Sequence, residues 1–544
     1  ARPTVHQGFP RGYLPVGEAV TVPGCSGDMR NGITRRSLLT ALAAGAGGLL
    51  LPDAVVAARP VSRALRRDPF TLGIASGDPT GTGVVLWTRL APDPTAPDGL
   101  GGMPAHDVEV GWQLAADERF SKVVASGTAV ARRETAHSVH VEVDGLEPGR
   151  EYFYRFRAGG HISPAGRTRT APAGVSPLTF AMASCAHWEH GYYTAYRRIA
   201  ELEPDLVVHL GDYIYEYRPL GYRAPGGAVR EHVGGKCRTL ADYRIRHAQY
   251  KTDPDLQAAH LAAPWLVAFD DHEVENNWAG PESSLGTPDF LARRARAFRA
   301  YYEHMPLRRS RQRGTSIRIH RRVHWGELAS FHLLDTRRFR DDQACGDGER
   351  AGCHDRLDPG RTILGADQRR WLLDGLARSR ARWNFIAQQV LMAQRDAMTG
   401  PGTRFNMDGW DGYAAERARL LHRIKEVGVA NPVVLTGDAH MHHAAELRPD
   451  FADPDSPRVA VELVTSSVSS DGDGYHDDAR VAALLRENPH IAYLDERRGF
   501  VVCRVTAEEM TVDFRTLGYV SRRGAPARTT ARFTVRSGHP QLIA

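Results

Sequence analysis

Three times along this chain a short, mostly apolar run stops at a loop of carboxylates. Leu206-Val207-Val208-His209-Leu210 runs into Gly211-Asp212, and Trp265-Leu266-Val267-Ala268-Phe269 runs into Asp270-Asp271-His272-Glu273. Pro432-Val433-Val434-Leu435 runs into Thr436-Gly437-Asp438-Ala439-His440. Apolar runs this short read as buried strands. Buried strands that each end in a polar loop are how layered α/β enzymes present reactive groups from one sheet edge. A fourth run, Leu178 to Ser184, ends at Cys185. Four strand-end loops therefore carry metal-ligand types: Cys185; Asp212 with Tyr215; Asp271 with His272; Asp438 with His440 and His442. One Gly-Asp or Asp-His pair after a strand is more often a turn or a helix cap. Four such loops in series predict a metal centre.

A chain of 544 residues predicts two or three domains. Ahead of the strand-loop series, Phe70 to Ala171 is β-patterned: Val84–Arg89, Val108–Gln113, the alternating Val139–Val143 and Tyr152–Phe156 read as strands. Their density predicts a fibronectin type III-like β-sandwich, with its aromatics in the core. Thr170-Ala171-Pro172-Ala173-Gly174 reads as a linker. The expected organisation is a signal region over 1–58, a β-sandwich over 68–172 and a layered αββα catalytic domain over 176–537. Phe500–Val505, Met510–Thr516 and Thr529–Val535 are expected to complete the sheets of that last domain.

Thr34-Arg35-Arg36-Ser37-Leu38-Leu39 precedes an Ala/Gly-rich apolar run to Leu51, with small residues at Ala54, Ala57 and Ala58. A twin arginine, a mildly apolar core and small residues predict a Tat-type leader, the Tat export machinery as a partner, and a secreted or wall-associated protein. The run is shorter than the roughly 20 apolar residues a membrane span needs, so no stable span is expected. Five cysteines follow the leader. Cys345 and Cys353 flank a polar loop and are the expected disulfide; Cys237 with Cys503 is the remaining pair, which leaves Cys185 for another task. The net charge of +6 is small for this length and forms no basic stripe with interleaved aromatics, which argues against specific nucleic-acid recognition.

The motifs resemble those of calcineurin-like metallophosphoesterases, and within them the PhoD-type alkaline phosphatases. Gly211-Asp212-Tyr213-Ile214-Tyr215 is similar to the Gly-Asp-x-x-Tyr motif of purple acid phosphatases. Asp270-Asp271-His272-Glu273 stands where the superfamily has Gly-Asn-His-Asp/Glu, Gly437-Asp438-Ala439-His440 where it has Gly-His-x-His, and Ser184-Cys185 replaces its first Asp. These departures, with Phe70-Thr71-Leu72-Gly73-Ile74-Ala75-Ser76-Gly77-Asp78-Pro79, resemble the PhoD family over nearly the whole chain after the leader.

The resemblance implies a two-metal site bridged by Asp212. Cys185, Asp212, Tyr215 and His440 would take Fe(III), a donor set that suits a trivalent or borderline metal. Asp212, Asp271 and Asp438 would take Ca2+, since all-oxygen donors suit a hard cation. Gln388 is assigned as a further donor, where the superfamily offers a His. The implied reaction is in-line attack of metal-activated hydroxide on phosphate mono- and diesters. Asn277 would bind a phosphoryl oxygen; His272 would do the same, protonate the leaving group, or orient a ligand. Asn406–Tyr413 is expected to wall the pocket. A phospholipase D-like diesterase on lipid head groups and a non-catalytic wall-binding sandwich protein are the competing readings.

Overall fold

The computed structural model describes residues 64–544, so the leader and its twin arginine lie outside the described residues. Two large sheets face each other. A nine-stranded sheet runs in the order Ala527–Arg536, Glu509–Leu517, Gly499–Val505, Leu178–Ala183, Leu206–His209, Trp265–Val267, Ile74–Gly77, Gly83–Arg89, Ser138–Asp144. A seven-stranded sheet runs Arg321–Trp325, Ala329–Leu333, Trp383–Ala387, Pro432–Thr436, Ala460–Val464, His442–Leu447, Ile491–Asp495. Between them lies a core of Phe180, Met182, Val208, Leu266, Phe331, Phe385, Leu435 and Val501. Phe385 stacks on Phe331 with centroids 4.8 Å apart and meets Phe180 edge-on at 5.2 Å, the two arrangements aromatic quadrupoles favour.

Helices cover both outer faces, giving the expected αββα layering. Tyr196 and Ile199 of the helix Thr194–Ala200 pack onto the larger sheet with Leu256 and Ala259 of Pro254–Ala262. Leu372 and Leu376 of Gly365–Ala377 pack onto the other with Leu420 and Ile424 of Ala414–Glu426. Local chemistry sets the helix starts. Asp253 caps the amides of Asp255 and Leu256, with Pro254 in the first turn where no N–H is needed. Among the described residues no helix is long and apolar enough to cross a membrane.

The strands read as a sandwich do face one another across a shared core, Val84, Leu86 and Val141 against Val110, Leu114 and Tyr154, but one of the two layers is continuous with the large sheet. Val108–Ala115, Val123–Ala131 and Glu151–Ala158 form a five-stranded sheet with Gly166–Arg169 and His161–Ile162. Ile74–Gly77, Gly83–Arg89 and Ser138–Asp144 instead extend the large sheet, Gly77 pairing in parallel with Trp265. The burial of all seven residues of Gly83–Arg89 is the signature of that central position.

Cys345 and Cys353 form the expected disulfide, with Cα atoms 6.0 Å apart. Cys237 and Cys503 do not pair; both are free and buried. Cys503 points into the core between the sheets, whereas Cys237 lies in the helix-side core on the opposite face of the large sheet.

Candidate metal centre

Strand register brings the loops together. His209 is level with Ala183 on one side and Val267 on the other, so the loops bearing Cys185, Asp212 and Asp271 leave one edge side by side. Two glycines permit the closeness. A Cβ on Gly211, whose φ is +111°, would lie 2.4 Å from Asp270 Cβ; one on Gly437 would lie 2.9 Å from Ser184 Cβ, where the two sheets' loops touch. Cys185, Asp212, Asn277, Asp438 and His440 all have φ between 50° and 58°. Non-glycine residues seldom occupy that region, and such strain concentrates at functional sites.

Three overlapping groups offer ligand atoms within 4.8 Å of one another: Cys185, Asp212 and His440; Asp212, Asp271 and His272; Asp270, Asp271 and Asp438. Asp212 and Asp271 link them into one centre. The Tyr215 hydroxyl joins the first group, donating to Asp212 Oδ2 at 2.9 Å and lying 3.1 Å from His440 Nε2. His440 Nδ1 is 2.7 Å from Asp471 Oδ2, the carboxylate–imidazole arrangement that aims the other ring nitrogen at a metal. Burial pushes the Cys185 thiol, the Tyr215 phenol and the Asp212 carboxyl well above their ordinary ranges, with the neighbouring anions adding to it. Anions crowded in a dry site hold together when a cation is among them. The donor chemistry therefore fits a metal pair.

His272 lies beside this group, its Nδ1 2.9 Å from Glu216 Oε2 and its ring stacked on Tyr215 at 4.2 Å. Burial opposes its protonation, but Asp271, Asp212 and Glu216 outweigh burial and hold its pKa well above the ordinary value. Asn277 donates its backbone N–H to Asp271 Oδ2 at 2.7 Å and its amide to Asp347 Oδ2 at 2.7 Å. Asp347 sits in the loop that the Cys345–Cys353 disulfide closes.

Gln388 is used otherwise than assigned. Its oxygen accepts from Trp410 Nε1 and its amide donates to Val390 O and Thr436 Oγ1, so its hydrogen bonds go to none of the clustered ligands. His442 and His443 are buried in the strand core. Asn406–Tyr413 is tied to the site through Arg337: Trp410 is buried and Asp408 accepts two bonds from Arg337 Nη1, at 3.0 and 2.8 Å.

Sequence reasoning missed Arg337. Its fully buried guanidinium bonds Asp270 and Asp408, reaches Asp438 Oδ1 at 3.0 Å, and approaches Asp271 Oδ1 at 3.4 Å, an ion pair without hydrogen-bond geometry. The signal was present: Phe331-His332-Leu333-Leu334 running into Asp335-Thr336-Arg337 is the same strand-to-polar-loop pattern. A search for ligand types passes over a cation. Burial raises the Asp270 carboxyl to about 6 despite Arg337, whereas Asp271, equally buried, is held below the ordinary range by Arg337 and His272. Glu273 was also missed. It accepts the backbone N–H groups of Asp212, Tyr213 and Asp270 and so clamps two metal loops together.

The chain is similar to known proteins over most of its length. Residues 180–514 match the family model for PhoD-like phosphatase, and residues 55–172 that for the PhoD-like phosphatase N-terminal domain. Alkaline phosphatase D of Bacillus subtilis (strain 168) is 48% identical over 480 residues, which cover 87% of this chain and 82% of that protein. A solved structure of PhoD superposes with a TM-score of 0.85 at 47% identity, covering 88% of this chain and 92% of that one. Purple acid phosphatase PPD1 from yellow lupin (Lupinus luteus) seeds shares the fold at a TM-score of 0.50 and 13% identity, over 85% of this chain and 73% of that one.

Proposed function

Because the chain belongs to the PhoD-like phosphatase family and is a phosphoric ester hydrolase, we propose that it is an exported, metal-dependent phosphatase acting on phosphate mono- and diesters. The observation that carries this reading is the joining of three ligand groups through Asp212 and Asp271 where the loops of the two sheets meet. Cys185, Asp212, Tyr215 and His440 would hold Fe(III); Asp212, Asp271 and Asp438 would hold Ca2+. Such a pair supplies Lewis-acid polarisation of the phosphoryl oxygens and lowers the pKa of water.

The chain's own groups do the rest. His272, kept protonated by Asp271, Asp212 and Glu216, can donate a proton to the departing ester oxygen. Asn277, fixed through its backbone to Asp271, can turn its amide from Asp347 to a phosphoryl oxygen. Asp471 holds the His440 ring in register. Export through the Tat route rests on Arg35-Arg36 and the run that follows.

One preparation tests the metal reading. Purified protein should contain iron and calcium and show a visible band that Tyr215→Phe weakens and reduction bleaches. A calcium-selective chelator should abolish ester hydrolysis while the band largely persists. Fully active, colourless protein without iron would remove the assignment of Cys185 and Tyr215 to that metal.

A further inference from the structure

The two layers of the N-terminal sandwich leave a gap at their edges. Val123–Ala131 is the last strand of the five-stranded sheet, and Ser138–Asp144 is the last of the nine-stranded one. The two strands do not pair, and a cavity of about 600 Å3 is lined by both. Tyr302, Arg309 and Gln312 of the catalytic domain line it too. No residue of the metal loops does.

Trp112 gives the cavity its character. Tyr152, Tyr154 and Phe156 are buried in the sandwich core, as expected of its aromatics, whereas Trp112 is half-buried. It stands across the strand pair from Gly127, where a Cβ would lie 2.9 Å from the indole Cζ2 and 3.1 Å from its Nε1. Glycine at that position lets the indole lie against the neighbouring strand. The same ring borders a second recess of about 380 Å3, with Gln113, Ser126 and Arg157.

The polar lining has spare capacity. Thr128, Arg132 and Gln312 are exposed, and among the described residues their side chains enter no hydrogen bond or ion pair. The wall behind them is fixed. Tyr302 stacks on His140 with centroids 4.5 Å apart, and His140 Nε2 is bonded to the Tyr302 and Met305 carbonyls. Glu142 is already taken by Arg308 Nη1 and the Arg309 N–H. An anion would meet only arginines open to water, which hold it weakly. A ring with an apolar C–H face and hydroxyls around its rim matches both halves of the lining. That is the surface of a pyranose sugar.

We propose that this cavity is a glycan-binding site, with Trp112 as the platform for a pyranose ring and Thr128, Arg132 and Gln312 as partners for its hydroxyls. The ligand class is a chain of β-linked, all-equatorial pyranoses, whose rings keep their C–H faces flat. The site stands apart from the metal loops, so it holds the protein on a glycan without taking part in ester hydrolysis.

Calorimetry on the whole metal-loaded protein with cellotetraose and N-acetylchitotetraose tests this, with p-nitrophenyl phosphate turnover measured alongside. At least one tetraose should bind. Trp112→Ala should weaken that binding about tenfold or more, the scale of returning one apolar ring face to water. Trp112→Phe should keep part of it. Gly127→Val should act like Trp112→Ala, because φ there lies outside the left-handed region and the added Cβ meets the indole. Gln312→Ala, at an exposed position, should weaken binding as well. Ester turnover should stay within about twofold in every variant, as for substitutions away from a catalytic centre. Sorbitol, which has the hydroxyls but no ring, should not compete. Wild-type protein that binds neither tetraose overturns the site, as does unchanged affinity in Trp112→Ala and Gly127→Val, or equal competition by sorbitol. Should Trp112→Ala also lose ester turnover, Gln312→Ala decides, and unchanged affinity there overturns the site.

Discussion

Replacing Arg337 by Met should destabilise the chelated protein by about 3–5 kcal/mol, the usual cost of stripping one partner from a buried ion pair. The structure sets where in that range it falls. Asp408 retains Arg340 at 2.7 Å and Gln343 at 2.9 Å, so it is not orphaned. Asp270, Asp271 and Asp438 lose a shared counter-charge inside a dry site, and they place the loss toward the upper end. The sharper test is a cycle with Asp408→Asn. Removing both members of a pair leaves less uncompensated charge than removing one, so the double variant should lie at least about 1.5 kcal/mol above the sum of the singles. Arg337→Lys, with one point charge in place of a planar fork, should fall between wild type and Met. Urea unfolding monitored by tryptophan fluorescence, with matched calorimetric scans, gives all the corners. Additivity within about 0.5 kcal/mol would mean that the guanidinium does not hold Asp408, and the bracket behind the metal centre would have to be abandoned.

Asp212→Asn should lower turnover by several orders of magnitude with unchanged circular dichroism, because one carboxylate links two ligand groups; a variant keeping a tenth of the activity is incompatible with that role. Cys185 is fully buried and free, so it should resist iodoacetamide in the loaded protein and react after chelation and unfolding; mass spectrometry showing early labelling would refute its placement. Burial lowers the Lys251 ammonium to about 7, where it sits over the rings of Trp87 and Tyr213. The unfolded chain holds that proton up to about pH 10.4, so it binds more protons than the fold above 7, and wild-type stability climbs with pH across that window. Lys251→Met should flatten the climb and be more stable at pH 6 by on the order of 2–4 kcal/mol; equal melting profiles from pH 6 to 10 would refute it. Arg35 and Arg36 both changed to Lys should trap the precursor in the cell, and normal secretion of that variant removes the Tat proposal.

The reach and the limit of the sequence show in individual residues. Asp212, Asp271 and Asp438 were legible because each ends an apolar strand; parallel register sets the first two side by side, and the packing of the two sheets brings the third to them. Gln388 was not, because a carboxamide serves equally as ligand or as core hydrogen-bonder; Trp410, distant in sequence, decides between them. Arg337 and Asp408 identify each other only once the Ala329–Leu333 strand is set beside Trp383–Ala387. The split of the N-terminal strands was hidden for a related reason. Gly83–Arg89 has the same β-forming composition whether it only closes a small sandwich or also extends a large sheet, and its complete burial goes with doing both.

The strand that launches Cys185 has a timing consequence. Leu178–Ala183 is bordered on one side by Leu206–His209, made soon after it, and on the other by Gly499–Val505, from the far end of the chain. Throughout translation, at roughly 5–20 residues per second, that second border is missing and the strand is an open edge. Asp438, His440 and the supporting Asp471 also emerge late. No ribosome-bound fragment lacking these segments can offer the complete donor set. A complete donor set therefore waits for His440 to emerge, and the strand that carries Cys185 is bordered on both sides only once Gly499–Val505 has been made.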